Sequence, residues 1–145
     1  MSTTANDMRR EAIRKTLAHH AGGAPDAGAV AEATLSVWHQ VAGRLAPVIG
    51  TGGVDALFRR SLHLTSANFP WLAISDDAGN NAALLASFKA RLASRETDTA
   101  VEAGHALLVI FTELLASLIG ESLTERLLRP VWAPQPTASE QETAP

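Results

Sequence analysis

A chain of 145 residues with a net charge of −3 has room for one domain with a sizeable core. It holds no cysteine, which excludes disulfides, thiol catalysis, zinc–thiolate and iron–sulfur sites, and covalent bilin or c-type haem attachment. Tyrosine is absent and Ala, Leu and Val dominate; this favours helices over strands and predicts an all-α, compact single-domain bundle of five to six helices over residues 1–132.

The first helix is expected over Thr4–Ala21, ending at Gly22-Gly23, a C-terminal breaker pair. Its apolar face is thin (Met8, Ile13, Leu17), which predicts a first helix that packs loosely or only on a partner. Arg9, Arg10, Arg14 and Lys15 form the densest basic stretch, diluted by Asp7 and Glu11. Phosphate contacts need concentrated cations, so no nucleic-acid partner is expected. Transit peptides avoid such acidic residues, and no secretory apolar core lies near the start, so the expected location is cytoplasmic. His19 and His20 point about 100° apart on a helix and cannot share one metal. They suit the terminal carbonyls and the helix dipole.

The second helix is expected to open near Pro25-Asp26 and run to Leu45. Val30, Thr34, Val37, Trp38, Val41 and Leu45 follow the helical period. Pro47 then kinks or restarts it before a turn at Gly50-Thr51-Gly52-Gly53. That glycine run lacks the Lys-Ser/Thr of a phosphate cradle. Within this helix, Trp38-His39-Gln40-Val41-Ala42-Gly43 resembles the phosphoacceptor helix of histidine-phosphotransfer domains, which carry His-x-x-Lys-Gly in a four-helix bundle. The resemblance covers five residues and implies that His39 accepts a phosphoryl group. Ala42 stands where the family has its lysine, which removes a cation for the phosphoryl charge.

The third helix is expected over Val54–Ala67. Val54, Leu57, Phe58, Ser61, Leu64 and Thr65 share one face; Asp55, Arg59 and His63 form the opposite stripe. Arg59, Arg60 and His63 together are a candidate surface for an anion or an acidic partner. The plainer alternative is an Asp55–Arg59 pair worth about 0.3–0.5 kcal/mol. Asn68-Phe69-Pro70-Trp71-Leu72 is expected to be an extended connector, because a residue before proline leaves the α region. Trp71 and Trp132 are expected to plug the ends of the bundle. Ser75–Asn81 is polar and turn-forming.

The fourth helix is expected over Asn81–Ser94, with Leu84, Leu85, Phe88 and Leu92 inward. A capping box at Thr99-Ala-Val-Glu102 opens the fifth, central helix near residues 99–119, and Gly120 ends it. A second box, Ser122-Leu-Thr-Glu125, opens a sixth helix that Pro130 stops. Residues 133–145 are polar, proline-bearing and acidic, the composition of a disordered tail.

The run Ala106–Ile119 is shorter than the roughly 20 residues that cross a hydrocarbon core, and it carries Glu113. A core helix is expected, with no membrane partner. Its leucines, with Phe111, fill about half the circumference. The back arc is mostly small or polar: Glu102, Ala106, Val109, Glu113, Ala116, Ser117 and Gly120. That arc is either plain solvent surface or a docking strip for a homodimer or other protein partner, with Ala106, Glu113 and Ala116 as candidates. Glu102-x-x-His105 is half of a di-iron ligand set whose second half is missing. No histidines stand at i, i+4, and no Gly-x-Ser-x-Gly occurs. No catalytic residue, metal or cofactor is expected. The expected function is a non-enzymatic, cytosolic regulatory or adaptor protein of bacterial signalling type, acting through protein–protein contacts. The alternatives are a histidine phosphotransfer module using His39 and a helical haem or small-molecule sensor.

Overall fold

The computed structural model describes residues 2–22, 26–73 and 81–132. The expected polar turn at Ser75–Asn81 lies outside them except for Asn81, the first residue of a helix, and the expected disordered tail at 133–145 lies outside them altogether. The described residues form an all-α bundle: α1 (Ser2–Ala21), α2 (Ala27–Thr65), α3 (Asn81–Ala93), α4 (Thr97–Ile119) and α5 (Glu121–Trp132), with a 3-10 turn at Pro70–Leu72. α4 packs against all four other helices, so the leucine-rich segment is the central one.

α2 begins directly after Asp26, whose backbone is extended and whose Oδ1 accepts the Ala29 N–H at 2.8 Å. This is an ordinary N-cap. The helix then continues through Pro47 and breaks at Gly50 alone, where φ is +83° and ψ 155°. Only glycine adopts that conformation without strain. The expected four-residue glycine turn is therefore one residue long, and Thr51-Gly52-Gly53 are already helical. The break reverses the chain. In an unbroken helix Trp38 and Phe58 would stand about 30 Å apart; their ring centroids are 4.8 Å apart. Trp38 also meets Phe111 edge-on at 4.8 Å, and Phe58 meets Phe88 at 5.8 Å. These four buried rings join both arms of α2 to α3 and α4 at the middle of the core.

α2 and α4 form the most extensive helix pair. Their approach is close at Gly104, where a Cβ would lie 2.6 Å from Thr34 Oγ1. The buried hydroxyls in this core are satisfied within their own helices. Thr34 donates to the Val30 carbonyl, Thr65 to Ser61 and Ser61 to Leu57, so they add no unpaired polar group.

Both expected capping boxes are corrected. α4 starts at Thr97, two residues before the first box, and its N-cap Glu96 makes no side-chain cap bond. α5 starts at Glu121, directly after Gly120 (φ +96°), which places Ser122 inside the helix. Pro130 does not stop α5, which runs on to Trp132. The length argument about the membrane is corrected as well. The helix containing Ala106–Ile119 has 23 residues and is long and apolar enough to cross a bilayer, but half of that apolar window is buried inside the bundle.

The expectation of a loose first helix is also overturned. Ile13 and Leu17 are buried in the common core, and Arg9 is buried beside them at 4% exposure. Its guanidinium donates to Glu121 Oε1 at 2.8 Å and Glu125 Oε2 at 3.1 Å. A thin apolar face is supplemented by a charged anchor.

Candidate functional site

The candidate residues fall in three places. His39 is exposed on the first arm of α2. On that arm Glu32, Leu35, Ser36 and His39 stand at helical spacing, one side of an open groove of about 340 Å³; Leu85, Ala86 and Lys89 of α3 form the other side. Lys89 Nζ donates to Glu32 Oε2 at 2.5 Å, which closes one end of the groove with an ion pair. His39 stands seven residues further along α2, about 10 Å away. The partner of Lys89 across the groove is Glu32.

The lining of this groove has a simple origin. Val30, Val37, Trp38, Val41 and Leu45 take the fully buried face of α2. Leu35 falls off that face and is half-buried, as is Leu85 on α3. These two leucines pack against the edge of the core and, half-exposed, line the groove together with Glu32, Ser36, His39, Ala86 and Lys89. The off-face position of Leu35 was the available signal in the sequence. Leu85 gave none, because it falls in register with Leu84, Phe88 and Leu92.

The second place is the other arm of α2. Arg60 and His63 are exposed and Arg59 is half-buried. They share one surface but stand apart from the groove residues in sequence and do not line it. Trp71 is half-buried beyond this arm, with Arg95 over its ring at 4.7 Å and its carbonyl accepting from Arg91 at 2.9 Å. It clamps the C-terminal end of α3 to the connector.

The third place is the back arc of α4, which α1 covers in part, while Ser117 and Gly120 stay exposed. Ala116 and Val109 are buried, Ala106 is half-buried, and the contacts of α1 bracket them. Arg10 donates to Glu113 at 3.1 Å, and His105 Nε2 lies 2.9 Å from the Arg10 carbonyl. Glu113 is thus half-exposed and ion-paired to Arg10 of α1. A carbonyl only accepts, so the Nε2 of His105 carries the proton and donates. Burial lowers the His105 pKa and the charges of Arg14 and Arg10 lower it further, against the raising effects of the Arg10 bond and Glu11. Burial, then His19, lowers His20 as well. For Arg9, burial opposes the charge, but the hydrogen bonds and attraction of Glu121 and Glu125 outweigh it and raise the pKa. The Arg9 bond in turn holds the Glu121 carboxyl below its ordinary value.

Among the described residues no three His, Cys, Asp or Glu side chains gather as a metal set. Glu102 and His105 therefore stand without the carboxylates a di-iron centre needs. Comparison with protein-family models, with curated proteins and with solved structures finds no match to this chain.

Proposed function

We propose that this chain is a cytoplasmic regulatory or adaptor domain that works by contact with another protein, and that the α2–α3 groove is its contact face. One observation carries this: an open groove lined by Leu35, Leu85 and Ala86 together with the charged or polar Glu32, Ser36, His39 and Lys89. Apolar side chains beside polar ones are the makeup of a protein interface. A small-molecule site is more enclosed than this. A groove of this size seats one or two anchoring side chains.

The test is a photo-reactive residue placed at Ser36 in the full chain and illuminated in the native cell. A discrete crosslinked partner is expected. Ala86→Arg, which fills the groove from an exposed position, should abolish it. A crosslink that persists in Ala86→Arg, or one that forms only from position 60, would overturn the groove.

Phosphotransfer remains the second reading, and the exposure of His39 at the groove's rim favours it. The imidazole would be open to a docked phosphodonor. Acid-labile phosphate from a cognate receiver domain should label the chain and vanish in His39→Gln; unchanged labelling would end it.

A further inference from the structure

We infer that protonation of His105 loosens α1 from α4, making the first helix a proton-sensitive strap across the back of the central helix. The geometry carries the inference. α1 packs most extensively on α2 and puts only a short apolar row, Ile13 and Leu17, into the core; polar contacts tie it to α4 and α5. His105 is half-buried at that seam and donates its single N–H to the backbone of Arg10. The charges acting on its ring stand on α1: Arg14 and Arg10 oppose a second proton, and Glu11 favours it. Glu113, on α4 itself, is taken up by Arg10, and Glu121 and Glu125 of α5 are taken up by Arg9. An imidazolium at this point would be a third cation facing two arginines, with one carboxylate to offset them.

The sign follows from linkage. With α1 seated, the ring holds its second proton less readily than a free histidine does. Seating is therefore undisturbed above the ordinary histidine value of 6.5. It weakens as pH falls below that value, until the seated ring is itself protonated. His20 acts in the same direction from α1. Arg9 holds the Glu121 carboxyl below its ordinary value of 4.5, so that pair keeps its charges in this window and the Arg9 end of the strap remains fixed.

Native-state hydrogen exchange of the full chain tests this, in a His19→Gln/His20→Gln background that isolates His105. Protection of the α1 amides around Ile13 and Leu17, corrected for intrinsic rates, should fall about threefold or more between roughly pH 7 and 5.5. Protection around Phe111 should hold. His105→Gln, which keeps an N–H for the Arg10 carbonyl, should abolish the step. A step that survives His105→Gln, or no step at all, overturns the inference. NMR titration of the His105 ring in the unaltered chain decides independently of how the variants fold: a ring titrating at or above the ordinary histidine value overturns it as well.

Discussion

Gly104 and Thr34 hold α2 and α4 at a spacing that no larger pair permits. Replacing Gly104 by Ala improves helix propensity by about 0.5–1 kcal/mol but drives a methyl into Thr34 Oγ1, and overpacking costs about 1–3 kcal/mol. The clash wins, so Gly104→Ala should lower stability by about 1–2 kcal/mol in urea unfolding. In a Thr34→Ala background the obstructing atoms are gone, and the same change should become neutral or stabilising. Equal cost in both backgrounds would show that the contact does not set the spacing. In the sequence, Gly104 reads only as a spacer between Glu102 and His105, because nothing local marks a residue whose constraint lies seventy positions earlier. The false capping boxes fail for a related reason. Thr99-to-Glu102 and Ser122-to-Glu125 are local patterns, and Glu125 instead serves Arg9 from the far end of the chain.

At the scale of helices, α1 shows how a charged anchor substitutes for apolar area. Arg9 brings its guanidinium into the seam between α1 and α5, and two partly exposed carboxylates balance it. Replacing both Glu121 and Glu125 by Gln leaves the cation buried with weaker partners. Breaking a fully buried pair costs about 3–5 kcal/mol. These carboxylates remain partly in water, so we expect about 1–2 kcal/mol. The loss should be seen as faster exchange of α1 amides with little change in α4. The pH dependence has a definite sign. Because Arg9 holds the Glu121 carboxyl below its ordinary value of 4.5, this stabilisation is present above that value and fades as pH falls through the lower one. Helix existence was legible from periodicity for both arms of α2, for α3 and for α4, but the buried face of α4 is turned from the expected one: Leu118 is 64% exposed, while Val109 and Ala116 of the back arc are buried. The docking of α1 was not, because its apolar face is short and its strongest contact pairs residues 112 and 116 positions apart.

For the molecule as a whole, the linked rings of Trp38, Phe58, Phe88 and Phe111 make one core rather than two. Phe111→Ala should therefore cost about 3–5 kcal/mol and lower the unfolding midpoints reported by tryptophan fluorescence and by helicity together. Separate transitions would mean that α4 does not unify the bundle. The fold class was legible from composition and from the half-circle apolar face near residues 99–119. The groove was only half legible, since it depends on α3 lying beside the first arm of α2, and no local pattern fixes which helices become neighbours. Chain reversal at Gly50 has one more consequence. It makes a fully buried contact of the core, Trp38 against Phe58, a meeting of near neighbours along the chain. Closing so short a loop costs little entropy, so this helical hairpin can assemble a nucleus of the interior before the distant N-terminal helix has found its seat.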